Sequence, residues 1–454
     1  MGGLNRLLRA WPHGLRRLIT PSPAVGLEGY WPVLQILVLV FPLNTIVTVA
    51  VALAWMLAWI RRWGWRSLAT PVACGWLVWS LWAAAATLFS PFPGPAAIGL
   101  VDLLPYLLVF VGFAAVVRTL SQLEHLAALL VLSSAPVSGL ALLQGVLNRP
   151  DWHLPRLVDY TVTLGLSTDG RANSLFNHYN EAAMYLAMLL PLMACFAFGT
   201  GAGRFRSAPR RLMRTVSWLL LLAALAAIFL TGSRNAWGLV VLITLVAILW
   251  LRRWLAALVI GVVVLALAWA VWGPLWGLGG EWLRGVLPTS LVERLLSTFD
   301  PSQPSFASTA DRLNAWTIAL EGVQKRPILG WGLKTFQSVA GRLGLDHRNL
   351  PHEHNVFLML ALGTGIPGLL GFLALQIAAI RSALQTSLPA YGQKLVAACV
   401  AGSLVFMVSG FFDIFFYEPR VHLLSWLLLG IAYGVSQGRL GWDPSMAPSA
   451  RDHP

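Results

Sequence analysis

Runs of about 20 apolar residues, the length a helix needs to cross a bilayer, recur along this chain and leave few architectures open. Inside hydrocarbon every backbone N–H and C=O must be satisfied within its own segment, so such runs fold as helices. Of the 454 residues, 57% are hydrophobic and 11% charged, and the mean hydropathy is +0.70. These values exclude a soluble globule and give an all-α, polytopic membrane bundle. We count about twelve spans. They run from Trp31 to Leu43, Thr45 to Ile60, Val72 to Ser90, Ile98 to Val117, His125 to Leu147, Ala182 to Phe198 and Val216 to Leu230. An eighth ends at Trp250, and Trp254 to Trp272 follows. The last three are His354 to Ile380, Leu395 to Phe416 and Val421 to Gly434.

The net charge of +14 would suggest nucleic acid in a soluble protein. In a membrane protein it has another origin, because arginine is retained in cytoplasmic loops; no nucleic-acid partner is expected. The short loops carrying Arg61, Arg62 and Arg66, then Arg204, Arg206, Arg210, Arg211 and Arg214, then Arg252 and Arg253 all fall on one side. That side is therefore cytoplasmic, with both termini. Residues 1–30 read as a cytoplasmic amphipathic segment lying on the interface, 31–272 as spans one to nine and 273–353 as an external helical loop. Residues 354–437 hold spans ten to twelve, and 438–454 a cytoplasmic tail. Cys74, Cys195 and Cys399 lie in apolar runs and serve packing, not a disulfide framework.

The external loop has a helical pattern of its own. Ser308 and Asp311 have the spacing of a capping box, Leu313, Trp316, Leu320 and Val323 recur at helical spacing, and Pro327 stops the helix. A shorter helix is expected around Leu291 to Leu296. The loop ends at His352-Glu353-His354-Asn355, where polar sequence gives way to an apolar span interrupted by Gly365 and Gly368. Read blandly, Asn355 caps that helix and the glycines allow close helix packing. Yet the expected outer side also collects Arg171, Arg234 and Arg312. A single arginine there anchors to lipid headgroups, whereas arginines converging with a histidine make a site, since guanidinium forks suit phosphate oxygens. Asp102, near the start of the fourth span, is left without a role. A zinc reading of His347, His352 and His354 lacks a nearby thiolate and a metal-binding helix motif, so neither metal nor other cofactor is expected.

These motifs resemble the O-antigen ligase family of bacterial glycan transferases. The family's signature is a histidine followed by Asn, Ser or Gln, nine residues, Gly, two residues and Gly; here His354-Asn355 and Gly365-Ile366-Pro367-Gly368 match it in full. TGSRNAWG resembles the family's Ser-Arg turn and supplies Arg234; DRLNAW with RPILGWG resembles the segment carrying a second arginine, Arg312. RANSLFNHYNEAA is similar to an upstream motif that usually ends Asn-Pro-Asn, and tyrosine replaces the proline here, which touches Arg171 and Asn180. FFDIFFYEPRVHLLSWLLLG resembles the closing spans. The similarity runs from about residue 90 onward.

The resemblance implies a glycosyltransferase in the bacterial inner membrane with its active site facing the periplasm. It moves a glycan from a polyprenyl (undecaprenyl) diphosphate to an acceptor hydroxyl, inverting the anomeric centre without a metal. The expected reaction is ligation of O-antigen to lipid A-core in lipopolysaccharide biosynthesis. A polysaccharide polymerase and a protein O-oligosaccharyltransferase remain open, with another glycan or a protein as acceptor. His354 is then the base, Arg234 and Arg312 the groups that neutralise the leaving diphosphate, and Arg171, Asn180 and Asn355 substrate-binding. A different class also stays open, because the broader family has cyanobacterial members proposed to handle inorganic carbon. A transporter would place polar groups at mid-membrane on broken helices in symmetric halves, whereas the polar cluster here is external.

Overall fold

The computed structural model describes residues 31–153, 162–199, 210–250, 254–287, 289–296, 298, 300, 307–345 and 350–438. The N-terminal amphipathic segment, the C-terminal tail, His347 and the arginines at 204, 206, 252 and 253 lie outside them. The fold is a helical membrane bundle. Its helices are α1 (Trp31–Val40), α2 (Thr45–Trp63), α3 (Pro71–Leu88), α4 (Pro93–Val116), α5 (Leu120–Leu147), α6 (Tyr179–Phe198), α7 (Arg210–Thr231), α8 (Arg234–Trp250) and α9 (Trp254–Trp272). A shorter set follows, α10 (Glu281–Arg284), α11 (Thr289–Leu296), α12 (Ala307–Lys325) and α13 (Phe336–Leu343), before α14 (Val356–Leu384), α15 (Ala390–Ser409) and α16 (Pro419–Gln437). Each expected span overlaps a helix, and among the described residues 8 helices are long and apolar enough to cross a membrane by length and composition.

Local chemistry sets the helix boundaries. Asn44 accepts from the Val47 N–H at 2.9 Å to start α2, and Thr119 with Gln122 forms a capping box at α5. At the centre, α6 packs against α7 and α15, and α16 against α4 and α15. Ala182 through Leu189 are all fully buried, as are Leu424, Leu428 and Ile431. By contrast α9 exposes Leu255, Leu258, Val262 and Leu265, the side chains of a helix that meets lipid. A small antiparallel pair, β1 (Arg149–His153) and β2 (Thr163–Leu164), leads into the segment before α6. Fully buried Gln144 pins that segment, donating to Thr163 O and Asn173 Oδ1, each at 3.0 Å, and accepting from the Ser174 N–H at 2.8 Å.

Two expectations are corrected. The span expected to continue to Phe416 ends at Ser409, because Gly410 and the turn after it leave the helix. Ser308 lies inside α12, which already includes Ala307, so Ser308 and Asp311 do not form its cap.

The glycine motif proves to be a break in α14. Gly365 has φ 72 and ψ 174, a conformation essentially confined to glycine, and Pro367 two residues on lacks an N–H. The backbone groups freed at the break find partners outside the helix. The Trp331 and Gly332 N–H groups donate to Leu362 O at 2.8 Å and Gly363 O at 2.9 Å, and the Ile366 N–H donates to Pro327 O at 2.8 Å. From α3, the Trp82 and Trp79 indoles donate to Thr364 O at 2.8 Å and Gly368 O at 2.7 Å. The segment RPILGWG is thereby clasped to LGTGIPG, and the stretch before α14 is fixed to the bundle.

Candidate functional site

The site is built on the turn Gly410 to Asp413 that ends α15. The Val356 N–H donates to Gly410 O at 2.7 Å. Asn355 Nδ2 donates to Phe411 O at 3.2 Å and Arg312 Nε to Phe412 O at 2.9 Å. His354 Nδ1 lies 3.3 Å from Asp413 Oδ1, and Asn180 Nδ2 lies 3.4 Å from Asp413 Oδ2. Thus Asn180, Arg312, His354 and Asn355, from distant parts of the sequence, meet on one turn. Asn355 is also the cap of α14, accepting from the Phe357 and Leu358 N–H groups at 2.9 and 3.0 Å.

His354 is held in an uncommon backbone state. Its φ of 49 is left-handed, which costs an L-residue roughly 1–2 kcal/mol, so the surroundings must hold it. The His354 N–H donates to His352 Nδ1 at 3.2 Å, and Trp316 Nε1 of α12 donates to His354 O at 3.4 Å. The side chain is bound to Asp413. Burial alone would raise the pKa of Asp413, but the hydrogen bond from His354 and the charges of His354, Arg312 and His352 outweigh it. They hold the carboxyl well below the usual carboxylate range, so it is an anion at neutral pH. Burial, then the neighbouring His354, lowers His352 to about 4, which keeps that ring neutral.

His352, His354 and Asp413 bring ligand atoms within 4.8 Å of one another, a set that could hold a metal ion. One nitrogen of each ring is already engaged, His352 Nδ1 with the His354 N–H and His354 Nδ1 with Asp413. Arg312 also lies within electrostatic reach of both His352 and Asp413, which opposes a dication. The same charges favour an anion.

A second cluster surrounds the short turn between α7 and α8. Arg171 donates from Nε to Thr231 O at 2.6 Å and from Nη2 to Gly232 O at 2.9 Å, satisfying carbonyls at the α7 C-terminus where a cation is favoured. Its guanidinium stacks 3.1 Å from the Tyr179 ring centroid. Arg171 therefore braces the turn that presents Arg234. Arg234 opens α8, donates to Thr298 Oγ1 at 3.1 Å, and lies within electrostatic reach of Arg294 and Arg312. Beside the turn is a groove of ≈ 420 Å³, lined among others by Arg171, Phe229, Trp237, Leu291 and Arg294. Its wall is part apolar and part charged, with Asp169 and Glu293 beside Arg171 and Arg294. Asp102, left without a role by the sequence, pairs with Lys334 at 2.6 Å.

Sequence reasoning missed Asp413, Arg294 and Glu353. The carboxylate set among phenylalanines in FFDIFF was a visible signal for Asp413, hidden by extending the preceding span across it. Arg294 sits on a surface-type amphipathic helix and carried no signal. Glu353 is 1% exposed with no partner for Oε2 among the described residues, and burial raises its pKa to about 7.

Residues 219–373 match the model of the family described as O-Antigen ligase. The matched stretch runs from within α7 through the break in α14 and contains Arg234, Arg312, His354, Asn355, Gly365 and Gly368. Arg171, Asn180 and Asp413 lie outside it. No curated protein matches the chain. Over that stretch the chain is similar to that family.

Proposed function

We propose, for a chain that carries an O-antigen ligase domain, that it transfers a glycan from a polyprenyl diphosphate to an acceptor hydroxyl at the periplasmic face of the inner membrane. The acceptor is lipid A-core. The observation that carries this reading is the His354–Asp413 contact at 3.3 Å beside the cations Arg312 and Arg234. A base and an anion-binding group are what an inverting transfer from a diphosphate needs.

With Nδ1 facing Asp413, His354 Nε2 is the nitrogen left for the acceptor hydroxyl. The acceptor oxygen attacks the anomeric carbon from the face opposite the diphosphate. Its proton passes to Nε2, the bond from the anomeric carbon to the phosphate oxygen breaks, and the electron pair leaves on the diphosphate. The imidazolium so formed is paired with the Asp413 carboxylate, the arrangement that orients and stabilises a histidine base. Arg312 and Arg234 face the charge that grows on the leaving group, an electrostatic contribution made by pre-placed donors. Arg234 does so from a helix N-terminus, where anions are favoured. The groove beside it offers apolar side chains, Phe229, Trp237 and Leu291, to the lipid part of a lipid-linked donor. The reaction is expected to need no metal.

The test is transfer in vesicles containing the purified protein, an undecaprenyl-diphosphate glycan and lipid A-core. His354→Ala should abolish transfer and leave donor binding intact. Arg234→Ala and Arg312→Ala should weaken donor binding as well as rate, with lysine rescuing only in part because it lacks the fork. Transfer at near the wild-type rate by His354→Ala would refute the assignment. In cells, deletion should remove the long lipopolysaccharide ladder and accumulate lipid-linked polymer; single-unit chains would instead identify a polymerase.

A further inference from the structure

His352 and His178 are not explained by the transfer chemistry, yet they stand in matching positions. His352 Nδ1 accepts from the N–H two residues on, that of His354, at 3.2 Å. His178 Nδ1 accepts from the N–H two residues on, that of Asn180, also at 3.2 Å. An aspartate or asparagine side chain commonly makes this contact and sets a local turn; here an imidazole makes it twice. The two residues so placed, His354 and Asn180, are the ones whose side chains reach Asp413, at 3.3 and 3.4 Å on opposite carboxylate oxygens.

We propose that His352 and His178 are positioning residues, a matched pair of imidazole acceptors that set the backbone of His354 and Asn180 and thereby hold Asp413 from both sides. The inference rests on the reading of His354 as the base. The stronger half is His352, because His354 is left-handed at φ 49 and its N–H needs an acceptor placed where an ordinary helix or strand offers none. Accepting requires an unprotonated Nδ1. The charged and titratable groups around His352 are His354, Asp413, Arg312 and His178, and burial is the larger influence, leaving the ring neutral at pH values above about 4. Around His178 stand Asp413, Arg171, Asp169 and Arg312, and burial again lowers its pKa. Neither ring is required to touch the substrate.

Asparagine separates this role from a chemical one, since its Oδ1 can accept the same N–H but cannot exchange protons near neutrality. In the vesicle assay, His352→Ala should lower kcat on the order of 10- to 100-fold, as misplacement of a base does, with KM for the donor unchanged. His352→Asn should recover most of the rate and keep the wild-type pH profile. His178→Ala should produce a smaller loss, again repaired by asparagine. Thermal unfolding of each variant is followed alongside, and if His352→Ala does not fold, His352→Asn decides alone. A full rate for His352→Ala overturns the proposal, and so does a His352→Asn as slow as the alanine variant or with an altered pH profile. His354→Ala separates the two readings: activity there overturns the base itself, whereas an inactive His354→Ala beside a fully active His352→Ala overturns only the positioning role.

Discussion

Glu353 lies between two histidines of the site and offers a quantitative test of how dry that region is. It is 1% exposed, and its Oε2 has no hydrogen-bond partner among the described residues. Burial raises its pKa from 4.5 to about 7. The folded pKa is above the unfolded one, so the stability contributed by the protonated acid is fully present below about pH 4.5. It is lost as pH rises through about 7. The difference of about 2.5 units, 7 minus 4.5, corresponds to ~3 kcal/mol at 1.36 kcal/mol per unit. Glu353→Gln keeps the shape and removes the titration. Its extra N–H donors add an offset that does not depend on pH. Unfolding of purified wild type and Glu353→Gln should be followed by tryptophan fluorescence across this pH range. The stability of the variant relative to wild type should climb by ~3 kcal/mol between about pH 4.5 and about pH 7 and then level off. Parallel stability curves over the whole range would mean that the carboxyl is hydrated or paired, and the reasoning fails.

Asp413→Asn removes the charge that stabilises the imidazolium, so transfer should fall by on the order of 10²- to 10⁴-fold with donor binding preserved; a rate within a few-fold of wild type would show that His354 acts without it. Gly365→Ala places a methyl group against the carbonyl of Ile328 at a φ of 72, and the backbone alone should cost ~1–3 kcal/mol. Its melting temperature should drop sharply, and an unchanged value would show that the break can close into regular helix. For topology, cysteines introduced at Gln337 and Ser308 in a cysteine-free background should react with an impermeant thiol reagent in spheroplasts, and one at Gln385 should not; the opposite pattern would put the site on the cytoplasmic face.

Much of this architecture is legible in the sequence, since hydrocarbon permits few backbone states and apolar runs therefore report helices directly. The helix from Tyr179 to Phe198 and that from Trp254 to Trp272 could be placed from hydropathy alone. Hydropathy does not report where an apolar helix stops. Phe411 and Phe412 look like continued span, yet Gly410 has already ended the helix, and this is how Asp413 escaped notice. Arg312, His354 and Asn355 were legible as a set because motif spacing marks them. That they would meet on the carbonyls of one turn was not, because carbonyl direction leaves no trace in residue type. Arg171 was legible as a member of the outer cluster, but its contacts from Nε and Nη2 to the carbonyls of Thr231 and Gly232 were not, again because carbonyl direction leaves no trace in residue type.

The break in α14 constrains how the molecule can be assembled. Its carbonyls at Leu362 and Gly363 depend on residues 331 and 332, and those at Thr364 and Gly368 depend on indoles from α3. A bare carbonyl in lipid costs several kcal/mol, so this helix cannot settle across the bilayer alone. All of these partners precede α14 in the chain, so the helix settles only against a chain already folded ahead of it, with residues 331 and 332 and the tryptophans of α3 in place.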